Sequence, residues 1–366
     1  MKLLLCFGTR PEAIKMAPLY HQLTKNKGVS VKLCITAQHR EMLDQVLSFF
    51  EIVPDIDLNL MLPNQTLNAL SSNILSKMDE VLKTESPDLV LVHGDTTTSS
   101  MVALAAFHRN IKVGHVEAGL RTFNKKAPFP EEINRQITGR LADFHFAPTK
   151  LAKQNLLKEG VKKETIIITG NTVIDALIWA KNKIDKGFKH PQINELQNKL
   201  SYSKLVLVTG HRRENFGQGF IDFCDALLEI AKNKDVEIVF PVHLNPNVQE
   251  PVNKILSSVK NIHLIPPVEY PVMVWLMQKS SLIISDSGGI QEEAPTFNKQ
   301  ILVTREVSER PEGVASGFSI LVGTNKELIV EKANHYLNIN TGTEGKNPYG
   351  DGKASQKIIK FLLKNK

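Results

Sequence analysis

Cysteine is scarce: the 366-residue chain holds three, at Cys6, Cys34 and Cys224. So few, so widely spaced, cannot frame a disulfide-stapled fold. Cys6 and Cys34 lie in strand-like apolar runs and Cys224 in a helical stretch, so all three read as buried thiols of a reducing compartment. There is no Cys-x-x-Cys pair, no His-Glu-x-x-His and no calcium-loop spacing of acidic residues, so a metal has no evident home. Gly-x-Gly-x-x-Gly and Gly-x-x-x-x-Gly-Lys are both missing, which disfavours a conventional dinucleotide site and a Walker loop. Without Gly-x-Ser-x-Gly there is no nucleophile elbow for a serine hydrolase. No run approaches the ~20 apolar residues that span a bilayer. The opening apolar stretch, Leu3–Phe7, is broken by Gly8-Thr9-Arg10-Pro11-Glu12, too early for an export signal. A cytoplasmic protein is expected, with no membrane partner.

Charge of one sign is only mildly in excess, +7 from 45 basic and 38 acidic residues. That leans towards a small anionic ligand, and no basic block interleaves with aromatics to suggest nucleic acid. At 42% hydrophobic and 23% charged, the chain has the composition of a globular protein with sizeable cores, which removes disorder, collagen and coiled coil. Its length predicts two domains or three. Near-continuous aliphatic runs mark strands at 2–7, 31–36, 89–93, 112–116, 144–147 and 165–169. After a polar interval they recur at 205–209, 237–242, 262–264, 282–285, 300–303 and 319–322. Amphipathic segments separate them, such as Leu67–Leu82 with its stripe of Leu67, Leu70, Ile74, Met78, Val81 and Leu82. This is the pattern of a doubly wound α/β protein. The weak interval at 186–203 separates two halves alike in element order; the domains are expected at 1–170 and 171–350, with a closing helix in 351–366.

Open parallel sheets bind ligands outside the carboxyl ends of their strands, so the residues after each strand carry the functional argument. The first strand runs into Gly8-Thr9-Arg10-Pro11-Glu12-Ala13-Ile14-Lys15, where Arg10 and Lys15 suit an anion near a helix start. A plain strand–helix turn explains the same residues. His93-Gly94-Asp95-Thr96 places Asp95 at a strand mouth, although capping the next helix is an equally good use for Asp95 or Thr96. Glu117, in Val116-Glu117-Ala118-Gly119-Leu120-Arg121, has no helix close enough to cap. Pro128-Phe129-Pro130-Glu131-Glu132 opens a helix with two carboxylates, one of which its dipole explains. Converging carboxylates raise one another's proton affinity, which suits acid/base work at neutral pH. In the second half, Gly210-His211-Arg212-Arg213-Glu214-Asn215 suits a diphosphate, and His243 ends the following strand. Asp286-Ser287-Gly288-Gly289-Ile290-Gln291-Glu292-Glu293 reads as an anion turn opening a helix, with Glu292 or Glu293 placed for ribose hydroxyls. Arg305, Arg310 and Glu312 follow on a loop.

Taken in this order, these six motifs resemble the non-hydrolysing bacterial UDP-N-acetylglucosamine 2-epimerases, from Lys2 to the final helix. The resemblance implies two Rossmann-like domains in the glycosyltransferase-B arrangement, an active site in the cleft, and a final helix crossing back onto the first domain. It makes Asp95, Glu117 and Glu131 the catalytic carboxylates and puts His211 at the diphosphate or in catalysis. It assigns UDP or nucleotide-sugar contacts to Arg10, Lys15, Ser287, Gly288, Gly289, Glu293 and Arg310; Arg212 and His243 join them from the strand-end reading. Val268 and Met273 stand where family members often have Gln and Phe. The segment 38–44 resembles the one tied to allosteric binding of a second UDP-GlcNAc, with Gln38 and Glu41 as its candidates; Glu41 and Asn64 stand where some members have Gln and Arg. The implied reaction interconverts UDP-GlcNAc and UDP-ManNAc without NAD or metal, in a homodimer, and feeds envelope polysaccharide synthesis. A C2-epimerase of another UDP-2-acetamido sugar and a glycosyltransferase of the same fold are the alternatives.

Overall fold

The computed structural model describes residues 1–37, 40–60, 65–201, 204–339, 343 and 345–365. The chain divides into two units, Met1–Trp179 with Tyr349–Lys366, and Ala180–Pro348. The first is built on strands β1 (Lys2–Phe7), β2 (Ser30–Ile35), β3 (Ile56–Asp57), β4 (Leu89–His93), β5 (Lys112–Val116), β6 (Phe144–Ala147) and β7 (Ile166–Ile168). They form one sheet in the order β3-β2-β1-β4-β5-β6-β7, parallel throughout. Leu3, Leu4, Leu5, Cys6 and Phe7 are all buried, because helices cover both faces of β1. Each such leucine contributes about 1.5–3 kcal/mol by leaving water.

The second unit repeats the plan with β8 (Lys204–Thr209), β9 (Val236–Pro241), β10 (Ile262–Ile265), β11 (Leu282–Ser285), β12 (Ile301–Val303) and β13 (Ser319–Leu321). Its sheet runs β10-β9-β8-β11-β12-β13, again parallel. Renumbered from its own first strand, that is the 3-2-1-4-5-6 order of a Rossmann fold, which the first unit shares and extends by one strand. Both units are therefore Rossmann-like. In each, the strand order reverses between the first and fourth strands, β1/β4 and β8/β11. The crevices are thereby assigned to the turns after those four strands.

β3 is the strand absent from the sequence reading: two residues, Ile56 and Asp57, paired with Cys34 and Ile35, are too short to show any periodicity. The helix at Leu67–Glu85 is entered through Thr66, whose hydroxyl accepts from the Ala69 amide at 3.2 Å, and buries Ile74, Met78 and Leu82. The helix at Ala354–Lys364 belongs to the first unit and packs on the helix Arg10–Thr24. Its Phe361 meets Phe144 edge-on at 5.3 Å and Phe146 at 5.9 Å between ring centroids. The three cysteines are free and buried, and burial pushes the Cys224 thiol up to about 12. Among the described residues no helix is long and apolar enough to cross a membrane.

Gly119 sits where no other residue fits. Its φ is +93°, and a Cβ there would lie 2.3 Å from the Ala152 carbonyl oxygen. Gly119→Ala is expected to cost at least ~2 kcal/mol, combining backbone strain with a clash against main chain that cannot rotate away. Urea unfolding checks this; a midpoint within error of the parent would refute it.

Candidate active site

In the first unit the turns after β4 and β5 and one helix start converge. Thr96, not Asp95, caps the helix Thr97–His108: its hydroxyl accepts from the Ser99 amide at 3.0 Å. The capping account of Asp95 therefore fails. Its carboxylate instead accepts from Arg135 Nε at 2.9 Å, and Arg135 Nη2 lies 2.7 Å away. Arg135 and Asn134, which donates to the Asp95 carbonyl at 3.0 Å, sit one turn into the helix Glu131–Leu141. Glu131 opens that helix, and its Oε2 is buried with no hydrogen-bond partner among the described residues. The neighbouring Glu132 shares Arg135 with Asp95, its Oε2 lying 3.3 Å from Arg135 Nη1. It accepts from the Thr122 amide at 3.0 Å and the Phe123 amide at 3.1 Å, and such donors hold it below the usual carboxylate range against the upward push of burial.

Glu117 follows β5 with φ +64°, a left-handed conformation that is uncommon outside glycine and tends to mark functional sites. Its side chain is 6% exposed and is tied to Lys15 by an ion pair and to Asn171, whose amide donates at 2.7 Å. A Cβ on Gly94 would lie 3.6 Å from Glu117 Oε1, so the Gly94–Asp95 turn runs directly beside this carboxylate. His93 Nε2 is 3.8 Å from Glu117 Oε2 and makes no hydrogen bond among the described residues; burial pulls its imidazole down to about 4, so it is neutral at physiological pH. Arg10 and Lys15 both lie on the helix Arg10–Thr24 that follows β1.

In the second unit the organiser is Asp286, which is fully buried. Its Oδ2 accepts from the backbone amides of His211 at 2.7 Å and Arg212 at 2.8 Å, and its Oδ1 lies 3.2 Å from His211 Nδ1. Burial pushes the Asp286 carboxyl up, but the His211 ring and these amides more than offset it and the net shift is downward. The His243 ring stacks on His211 with centroids 5.4 Å apart, and burial with that neighbour lowers its pKa. Arg212 Nε is buried without a partner among the described residues. Past β11, Ser287 enters the helix Gly288–Glu293 without making a side-chain cap. The Arg310 guanidinium lies over the turn, 3.7 Å from where a Gly288 Cβ would be, anchored by its ion pair with Glu292. Of the two glutamates read as ribose acceptors, Glu292 is thus engaged with Arg310, while Glu293 accepts from Tyr270 Oη at 2.7 Å. Arg305 pairs with Glu214 at 2.7 Å, which takes it out of the phosphate-facing set.

The family model for UDP-N-acetylglucosamine 2-epimerase matches residues 21–363. The chain belongs to the UDP-N-acetylglucosamine 2-epimerase family. The family's Escherichia coli K12 member, named UDP-N-acetylglucosamine 2-epimerase, is 52% identical over 379 residues, covering 100% of this chain and 99% of that one. The crystal structure of the Neisseria meningitidis UDP-GlcNAc 2-epimerase bound to UDP-GlcNAc superposes with a TM-score of 0.90 at 50% identity, covering all of both chains. The Methanocaldococcus jannaschii UDP-GlcNAc 2-epimerase, solved in complex with UDP-GlcNAc and UDP, is 34% identical with a TM-score of 0.83, again over all of both chains. As a member of this family the protein is an isomerase.

Within the epimerase frame, four positions that sequence reasoning did not single out hold the ones it did. Asn171 and Arg135 hold Glu117 and Asp95, Asp286 holds His211, and Glu12 accepts from both amides of the Gly8–Thr9 turn at 3.0 and 2.9 Å. A buried carboxylate directly after a strand was the available signal for Asp286. Glu41 lies in the first turn of the helix Arg40–Phe49 and is exposed, whereas Gln38 and Asn64 lie outside the described residues. Among the described residues no cluster of His, Cys, Asp and Glu has metal-binding geometry.

Proposed function

We propose that this epimerase interconverts UDP-GlcNAc and UDP-ManNAc by eliminating and re-adding UDP. The C2 proton is far too weakly acidic to leave by itself, since no carbonyl adjoins it. A carboxylate takes it as the C1–oxygen bond breaks, giving UDP and 2-acetamidoglucal. UDP oxygen then returns to C1 while a proton is delivered to C2 from the opposite face. NAD and a metal take no part in this route. The observation that carries the reading is the division of labour among three carboxylates: Asp95 and Glu117 each face a cation, whereas Glu131 Oε2 is buried without a partner among the described residues.

Arg10, Lys15, His211, Arg212, Arg310 and the Ser287–Gly289 turn serve the diphosphate, where charge develops as the bond breaks. Glu293 serves the ribose and His243 supports His211. Exclusion of water keeps the glucal from being lost to hydrolysis. A second UDP-GlcNAc activates through the segment carrying Gln38 and Glu41. The enzyme acts as a cytoplasmic homodimer, and its product supplies envelope polysaccharide synthesis.

The test is incubation with UDP-GlcNAc in deuterated water, without added NAD or metal, followed by proton NMR. UDP-ManNAc should appear with deuterium entering C2 of both epimers. A new epimer that keeps its original C2 hydrogen would overturn the elimination route, and no new sugar would overturn the substrate.

A further inference from the structure

Glu12 is 2% exposed and its carboxylate accepts four hydrogen bonds. Its Oε2 accepts from the Gly8 amide at 3.0 Å, the Thr9 amide at 2.9 Å and the Thr9 hydroxyl at 2.8 Å, a capping box at the start of the helix Arg10–Thr24. A cap would use that oxygen alone. The other, Oε1, reaches across the strand-order reversal and accepts from the Thr96 hydroxyl at 2.7 Å. That hydroxyl is committed on its other side, since it accepts from the Ser99 amide at 3.0 Å. Its single hydrogen points at Glu12, and Oε1 accepts it.

We propose that Glu12 is a positioning residue whose carboxylate form fastens the turn carrying Arg10 to the turn carrying Asp95. Arg10 directly follows Thr9, and Asp95 directly precedes Thr96, so one buried side chain fixes the spacing of two residues assigned to the reaction. A proton on Glu12, or an amide in its place, gives one of its two ends hydrogen where both now only accept: at the Oε2 end that hydrogen meets the Gly8 and Thr9 amides, and at the Oε1 end it displaces the hydrogen of Thr96. The turns then lose their common anchor although each keeps its own backbone bonds. Displacements of about 1 Å at a catalytic group are enough to cost ~100-fold in rate.

The carboxyl is also poised to titrate. Burial pushes Glu12 up to about 7, against the downward pull of its four hydrogen bonds. The titratable group coupled to it electrostatically is Cys6 on β1, whose thiol burial holds protonated. Arg10 and Lys15 share its helix, and Asp95 adjoins Thr96 on the facing turn. The fastened state lies above the midpoint, so it is lost as pH falls through neutrality.

The test combines amide resonances of the 15N-labelled full chain from pH 5.5 to 8.5 with kcat and KM for UDP-GlcNAc, in the parent, Glu12→Gln, Thr96→Val and Thr96→Ser. In the parent, the amides of Gly8, Thr9 and Ser99 should shift together with one midpoint near neutrality, and in Glu12→Gln that shared titration should vanish. The kcat of Glu12→Gln should fall at least ~10-fold, with KM changed by no more than about threefold and the matching acid limb gone. Thr96→Val should fall with it, and Thr96→Ser should recover most of the rate. Separate midpoints for Ser99 and Gly8, or a Glu12→Gln enzyme that keeps either its kcat or its acid limb, would overturn the proposal. Its catalytic part rests on the epimerase reading. A parent that shows the shared titration but no turnover of UDP-GlcNAc would sink that reading while upholding the fastening.

Discussion

Glu131→Gln lowers kcat at least ~100-fold and leaves stability within about 0.5 kcal/mol of the parent. Both halves follow from the same geometry. Glu131 Oε2 is buried and unbonded among the described residues, so replacing it with an amide breaks no hydrogen bond there. Asp95 and Glu117 differ, because their carboxylates hold Arg135 and the Lys15–Asn171 pair. Asp95→Asn and Glu117→Gln should also lose at least ~100-fold, but with some loss of structure mixed into the kinetic effect. Glu131 is thus the position where chemistry separates from folding. Steady-state kinetics beside a urea melt decide it: a Glu131→Gln enzyme within a few-fold of parental kcat would remove Glu131 from the reaction.

Asp286→Ala should be the most damaging single change in the second unit. It strips the His211 and Arg212 amides of their acceptor, and each buried amide left unbonded costs about 1–3 kcal/mol. A loss of roughly 2–6 kcal/mol is expected from the pair. The freed turn carries His211 and Arg212, so kcat/KM should fall by ~100-fold or more. Asp286→Asn, which keeps one oxygen for the amides, should recover most of the stability and little of the rate, because it removes the charge facing His211 Nδ1 at 3.2 Å. Equal unfolding midpoints for the alanine variant and the parent would refute the account. The sign with pH is fixed as well. The folded Asp286 carboxyl lies below its ordinary value, so its stabilisation is present above about pH 3.9 and is lost as pH falls through the depressed folded value. Glu12 works in the opposite sense. Its folded value is raised to about 7, so stability declines as pH rises from the ordinary carboxylate range through neutrality, and Glu12→Gln should flatten that decline.

The sheets were legible because parallel strands buried on both faces are written as unbroken aliphatic runs; Leu89–Val92 and Leu205–Val208 can be read at sight. β3 was not, since its identity comes from pairing with Cys34 and Ile35 rather than from anything in Ile-Asp itself. The candidate site divides along the same line. Polar residues directly after buried strands, such as Asp95, Glu117 and His211, are conspicuous because nothing in packing calls for them there. Their partners are written far away: Arg135 is 40 residues from Asp95, Asn171 54 from Glu117, and Asp286 75 from His211. Only a known strand order brings such separations together. Local rules also misdirect when two residues compete for one task, as where Thr96 takes the cap that Asp95 was equally fit to make.

The second unit is an insertion within the first, entered after Trp179 and left before Tyr349. A ribosome therefore finishes the inserted unit before it makes the helix Ala354–Lys364, which buries Ile358 and Leu362 in the earlier unit and sets Phe361 against Phe144. The half synthesised first is the half completed last, and until then Phe144 lacks its edge-on Phe361 partner. A released chain truncated at Pro348 should carry a protease-resistant second unit beside a first unit that is still open to cleavage.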